Sequence, residues 1–371
     1  MPHHRPAAMT PGTATPHHRS GDAPAGTSAS HQHPAETTPG IPIPHLHPAG
    51  ISPRVALPQR PSGAMSRRAA ARVAAATGLA VLFGATAGVS RARAATQVSA
   101  RTVDVSVSSA ALGRTAPVRL ILPSDFAAQP GRTYPVLYLL HGAHDDYTSW
   151  TRETDIEAFT EGRELIVAMP DAGPTGIPSV WREGPDYETL QLLEVPALLA
   201  RDYRASGVQA VAGVSTGGYG AMAHAARHPG AFTAAASYSG ILDTTAPGVP
   251  SLVDAIVARE SLSPLTLWGN PLLNGLTWRA FNPRAQAGGL RGTPLYVSNG
   301  SGVAGGSGDW LPEALESLLW PSAHSFTGVL ALLGIPVTTH FYPGGGHSWA
   351  YWKGEFTASW PMLAAALGLP E

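Results

Sequence analysis

The chain has 371 residues, 44% hydrophobic and 13% charged, with a formal net charge of −1; this supplies a sizeable apolar core and gives no reason to expect a nucleic-acid partner. It has no cysteine, which excludes disulfides, thiolate metal sites and a cysteine nucleophile. Residues 1–64 are rich in Pro, His, Ala, Gly and Thr and carry eight of the 15 histidines. They lack the apolar periodicity that would offset the entropy of ordering, and the expectation is disorder rather than a metal-binding tract. Met65-Ser66-Arg67-Arg68, the mildly apolar run Val73–Val89 and Ala92-Arg93-Ala94 then read as a secretory signal of twin-arginine type over 65–95, with cleavage near Ala94 or Ala95. At 17 residues with several Gly, Ser and Thr, the apolar run is short for a membrane span. Met65 also reads as the start codon, and residues 96–371 are expected to form the folded domain.

From Gln97 onward the pattern is that of a folded domain. Thr102–Val107 and Val118–Leu122 alternate as strands, and Pro135–Leu140 and Leu165–Met169 are short apolar runs ending in turn residues, as buried strands do. Tyr187–Tyr203 has helical spacing, and Gln209–Val214 is a further strand, followed by a Gly-rich turn and a helix. Phe232–Tyr238, Leu295–Val297 and Val337–Tyr342 complete the strand series. Strands alternating with helices predict an α/β domain with a mainly parallel, doubly wound sheet and helices on both faces. The Pro- and Asn-rich stretch Ile241–Gly292 breaks that rhythm and reads as an insertion beside the functional site.

Gly213-Val214-Ser215-Thr216-Gly217 is a G-x-S-x-G sequence lying between a strand and a helix. A sharp strand-to-helix turn exposes the serine hydroxyl above the sheet, and flanking glycines avoid clashes in that turn. Serine needs a base, which in such folds follows the last strand. His347, in Tyr342-Pro343-Gly344-Gly345-Gly346-His347, occupies that place, whereas His340 lies inside a strand and reads as structural, and His224 and His228, in or just after the nucleophile helix, read as surface or packing residues. The orienting carboxylate should follow Leu295–Val297; Asp309, Glu313 and Glu316 are all open on spacing alone. Leu139-Leu140-His141-Gly142-Ala143 offers the second oxyanion donor, so the backbone N–H groups of Ala143 and Thr216 are the expected oxyanion hole. His141 fits a neutral supporting role.

Leu137-Tyr138-Leu139-Leu140-His141-Gly142, the Gly213–Gly217 turn and Gly346-His347-Ser348-Trp349-Ala350-Tyr351-Trp352 together resemble an esterase family of α/β-hydrolases. It includes the mycobacterial mycolyltransferases of the antigen complex and the S-formylglutathione hydrolases. The H-S-W-x-Y-W run and Ser298-Asn299-Gly300 are more similar to the mycolyltransferase branch. That resemblance implies the α/β-hydrolase fold and Glu316 as the acid, within Leu311-Pro312-Glu313-Ala314-Leu315-Glu316; the hydrolase branch would instead imply Asp309. Where trehalose-specific members have an acid and an arginine, this chain has His141 and His144, which changes sugar recognition.

The resulting expectation is an exported carboxylic-ester hydrolase or acyltransferase that uses Ser215, His347 and Glu316 through an acyl-enzyme, without metal or cofactor. Its substrates would be small-molecule or glycolipid esters, with a sugar hydroxyl as one acyl acceptor. His141, His144, Trp181 and Trp349 are expected to line the substrate site, with Trp310 as a further candidate, while Tyr351 and Trp352 read as packing residues. The alternative is a non-catalytic matrix- or cell-wall-binding protein on the same fold.

Overall fold

The computed structural model describes residues 95–303 and 310–370. The segments expected as disordered and as a signal, up to Ala94, and the carboxylate Asp309 lie outside the described residues. Strands β1 (Thr96–Gln97), β2 (Thr102–Ser109) and β3 (Arg114–Ile121) open the domain. They are followed by β4 (Tyr134–Leu140), short helices α1 (Ser149–Glu153) and α2 (Ile156–Phe159), and β5 (Ile166–Pro170). A helical stretch of α3 (Tyr187–Thr189) and α4 (Val195–Asp202) leads into β6 (Ala205–Val214), α5 (Thr216–Arg227) and β7 (Ala235–Tyr238). The insertion holds α6 (Val249–Arg259), α7 (Gly275–Ala280) and α8 (Pro283–Gln286). Strand β8 (Leu295–Gly300), α9 (Trp310–Leu332), β9 (Thr338–Tyr342) and α10 (Trp349–Ala366) close it.

The strands form one sheet in the order β1-β2-β3-β5-β4-β6-β7-β8-β9. Pairings from β1 through the β3–β5 edge are antiparallel, and those from β5–β4 to β8–β9 are parallel. Side chains alternate across the sheet, as a two-residue strand period requires. Tyr138, Leu140 and Val211 join the core beneath α5, α6 and α9. Leu137, Leu139, Ala210 and Ala212 pack on the opposite face against Trp150 of α1 and Trp352, Phe356 and Trp360 of α10. Each such buried aromatic or leucine contributes about 1.5–3 kcal/mol. The chain leaves β4 for β5 on one side, and β6 comes to lie on the other, with Leu140 paired to Gly213. That reversal of direction is where doubly wound sheets open a crevice at their C-terminal edge.

The single helical run expected over 187–203 is interrupted by a π turn, Leu190–Glu194, in which the Val195 N–H reaches back to Leu190 O. Pro196 follows and has no N–H to continue an α register. The wide turn directs Gln191 inward, where its amide donates to Asp171 O at 3.2 Å and its Oε1 accepts from His224 Nε2 at 3.1 Å. His224 is 1% exposed, its Nδ1 has no partner among the described residues, and burial pulls its imidazole down to about 4. Of the surface and packing roles open to His224, the structure gives it the packing one, a neutral tautomer tying α5 to the π turn.

Candidate active site

Ser215 follows β6 and caps α5 at φ 53°, ψ −121°, a region a non-glycine residue enters only when its surroundings over-determine it. The surroundings do so here. Ser215 N–H donates to Tyr238 O at 3.0 Å, and Tyr219 N–H closes the first helical turn onto Ser215 O at 3.0 Å. A Cβ on Gly213 would lie 2.3 Å from Gly217 O, and one on Gly217 would lie 2.4 Å from Leu140 O. The glycines of the motif are thus required by space. The sharp turn leaves the hydroxyl facing a cavity instead of the sheet.

His347 stands on the loop after β9, and its backbone N–H donates to Pro312 O at 3.0 Å. Its Nε2 lies 2.8 Å from Ser215 Oγ and its Nδ1 lies 3.0 Å from Glu316 Oε1. Gly344 and Gly345 adopt φ values of 73° and 85°, and a Cβ on Gly345 would lie 2.6 Å from the Tyr342 ring, so the glycine run fits closely over that phenol. Burial, with the Glu316 and Glu355 carboxylates nearby, pushes the Tyr342 hydroxyl well above the usual phenol range. Trp352 meets the His347 ring edge-on at 4.9 Å, and its own indole N–H is held by Ser239 Oγ at 3.1 Å. This is the packing role expected for it.

Glu316 is fully buried, and both its oxygens act as acceptors. Oε1 faces His347 Nδ1, while Oε2 receives Asn299 Nδ2–H at 2.7 Å and the Gly300 N–H at 2.9 Å. Of the two described carboxylates left open on spacing, Glu313 and Glu316, it is Glu316 that meets His347. Glu313 sits partly exposed on the same helix. Asn299 went unassigned in the sequence because its task, holding the acid from the end of β8, depends on a residue 17 positions away.

The backbone amides of Ala143 and Thr216 have no acceptor among the described residues. Ala143 borders the cavity with Ser215 and His347, and a Cβ on neighbouring Gly142 would lie 3.3 Å from Ser215 Cβ. Both N–H groups are therefore available where charge would develop on an attacked carbonyl. His141 is 1% exposed, donates from Nδ1 to Gly142 O at 2.9 Å and accepts Ala172 N–H on Nε2 at 3.0 Å. It fixes the loop and does not line the cavity. His144 does line it, and its ring is paired with Glu260 at the end of α6.

The cavity has a volume of about 300 Å³ and is walled mainly by apolar side chains, Leu252, Ala255 and Ile256 of α6 with Leu311, Leu315 and Leu319 of α9. Arg259 stands on the same lining. Trp181 and Trp349, expected beside the substrate, are placed elsewhere. Trp181 is 5% exposed within the core, its indole N–H donating to Ile177 O at 3.4 Å. Trp349 packs edge-on against Trp150 at 5.1 Å and Trp352 at 5.4 Å, bracing the start of α10. Trp310 is 74% exposed and is not among the cavity residues. No cluster of His, Asp or Glu suited to a metal ion occurs among the described residues.

A parallel sheet reversed at β4/β6, a serine on a strained strand-to-helix turn and a histidine after the last strand define an α/β-hydrolase. Residues 109–363 match the family described as "Putative esterase", and the chain belongs to that family. It is 31% identical over 252 residues to Esterase Rv1288 of Mycobacterium tuberculosis, covering 63% of this chain and 53% of that protein; it spans about half the length of that relative. It is 30% identical over 256 residues to the diacylglycerol acyltransferase/mycolyltransferase Ag85B of Mycobacterium leprae, covering 64% of this chain and 77% of that one. Two solved structures share the fold. Mycobacterium tuberculosis MPT51 has a TM-score of 0.59 at 24% identity and covers 71% of this chain and 97% of that chain. An S-formylglutathione hydrolase from Agrobacterium tumefaciens has a TM-score of 0.59 at 17% identity, covering 74% and 99%.

Proposed function

We propose that the chain is an exported serine esterase or acyltransferase acting on carboxylic esters through an acyl-enzyme. The observation that carries this is the bonded series Ser215–His347–Glu316 at 2.8 and 3.0 Å, opening on an apolar cavity of about 300 Å³. His347 Nε2 takes the Ser215 proton as Oγ attacks the acyl carbonyl, and the oxyanion is held by the Ala143 and Thr216 amides. Collapse of the tetrahedral adduct breaks the ester C–O bond, and the leaving alkoxide receives the proton from His347. Water or an acceptor hydroxyl, a sugar among them, then repeats the cycle in reverse. Glu316 holds the imidazole in the Nδ1–H tautomer throughout.

The apolar wall fits an acyl chain, which favours fatty or glycolipid esters over short polar ones. The names of the relatives, an esterase and an acyltransferase, agree with this chemistry, and neither decides between water and an alcohol as acceptor. Export rests on the signal-like sequence of 65–95; among the described residues no helix is long and apolar enough to cross a membrane. The test is turnover of p-nitrophenyl esters of increasing chain length by the purified protein and by Ser215→Ala, with and without a sugar acceptor. Hydrolysis by the wild type alone supports the reading, and acceptor-dependent formation of a new ester assigns transferase. Equal inertness of two folded samples would overturn it.

A further inference from the structure

Between Glu260 and Asp309 the chain carries no acidic residue, and its charged residues there are Arg279, Arg284 and Arg291. From Leu262 to Trp278 there is no charge at all. Within that stretch Leu272, Leu273 and Leu276 are 92%, 86% and 85% exposed. Singly exposed leucines are ordinary, but three on one short turn are not.

Hydrogen bonds from two asparagines fix the backbone of this turn. Asn270 Oδ1 accepts the Leu272 and Leu273 N–H groups at 2.9 and 3.1 Å. Asn274 returns the favour, its Oδ1 accepting Asn270 N–H at 2.9 Å and its N–H donating to Asn270 O at 2.7 Å. Below, Trp278 Nε1–H donates to Gly269 O at 2.9 Å, and Trp268 and Trp278, each 1% exposed, anchor the turn by edge-on packing at 5.1 Å. Beside it lies a cleft of about 520 Å³ lined by Gly275, Arg279, Asn282 and Arg284. Arg284 reaches Asp243 at 3.5 Å; the Arg279 guanidinium has no partner among the described residues.

We infer that the turn Pro271–Leu276, with the adjoining arginine cleft, is a docking surface for an anionic lipid layer. The three leucines enter the acyl region and the Arg279 guanidinium meets headgroup phosphates, the division of labour expected of an interfacial anchor. Charge complementarity selects this occupant: the 48 sequence positions from Ser261 to Gly308 carry three arginines and no acidic residue. The Asp243 carboxylate beside the cleft is already engaged by Arg284, Asn282, Thr245 and Ser325, which leaves Arg279 without a protein carboxylate partner among the described residues. Docking of this kind requires neither Ser215 nor any catalytic step.

The test is co-sedimentation of the full chain with large vesicles of phosphatidylcholine, with or without phosphatidylglycerol. The comparison is wild type against Leu272→Ser/Leu273→Ser/Leu276→Ser and Arg279→Gln. The triple variant should bind phosphatidylglycerol vesicles about thirtyfold more weakly or worse. Arg279→Gln should lose about fivefold on those vesicles and nothing on pure phosphatidylcholine. The three side chains are at least 85% exposed, so the thermal midpoint should not move; if the triple variant fails to fold, Leu272→Ser alone should still show about a fivefold loss. Equal partitioning of wild type and variants, or no binding by wild type, overturns the inference. So does lipid-independent dimerisation of the wild type that the triple variant abolishes, which would assign the turn to a second copy of the chain.

Discussion

Replacing Glu316 by glutamine tests the site with little change in shape. The carboxylate accepts three N–H donors, His347 Nδ1 on one oxygen and Asn299 Nδ2 and Gly300 N on the other. A glutamine amide has one oxygen and one NH2 to distribute. With the oxygen towards His347, the NH2 confronts two buried donors, at about 1–3 kcal/mol for each group left unpaired. With the NH2 towards His347, the oxygen keeps both Asn299 and Gly300, and the imidazole needs only to move its proton to Nε2. The second arrangement wins by several kcal/mol on these magnitudes. It leaves the fold satisfied and places N–H, not a lone pair, 2.8 Å from Ser215 Oγ. The expected result is a fall of about 10³–10⁴ in kcat/KM on p-nitrophenyl butyrate, or about 4–5 kcal/mol of transition-state stabilisation, with a thermal midpoint within a few degrees of wild type. A loss below tenfold, or one that follows unfolding in a thermal melt, would refute the reasoning.

Gly217→Ala should cost about 2 kcal/mol or more in urea denaturation, because the new Cβ would sit 2.4 Å from Leu140 O, which is backbone and cannot rotate away. Ala255→Trp, on the α6 wall of the cavity, should shift preference from octanoyl towards acetyl esters by about tenfold or more, read as a ratio of kcat/KM values. His224 titrates near 6.5 when unfolded and is pulled down to about 4 when buried. Above that window neither state binds the proton. As pH falls from 6.5 towards 4 only the unfolded chain takes it up, so up to about 3 kcal/mol of stability is lost. His224→Gln should remove that component, and parallel wild-type and variant stability curves from pH 7 to pH 4 would contradict the assignment.

The parts of the fold legible in the sequence were those fixed by local constraints. The buried strands announced themselves as short apolar runs, and the nucleophile turn by glycines whose Cβ atoms would have struck backbone. His347 followed from chain order, since a base must return over the C-terminal edge after the last strand. Glu316 was not separable from Asp309 and Glu313 by spacing, because carboxylates close together in sequence look alike until contacts such as those of Asn299 and Gly300 with Glu316 are seen. The cavity wall was invisible for the same reason. Leu252 and Leu315 are ordinary amphipathic-helix residues until α6 and α9 face each other across Ser215. Trp181 and Trp349 were misplaced because an aromatic near a motif carries no mark of whether its ring faces a ligand or the core.

The two helices that wall the cavity are not equivalent. Along α9, Leu315 and Leu319 line the cavity while Glu316, between them, holds the imidazole; a substitution that reshapes that wall also risks displacing the acid. Helix α6 contributes Leu252, Ala255 and Ile256 and no member of the bonded series. Descendants of this sequence can therefore drift in acyl preference through α6 while their chemistry stays intact, whereas drift through α9 is constrained. Diversification of substrate range across a lineage should accordingly leave its record in the insertion.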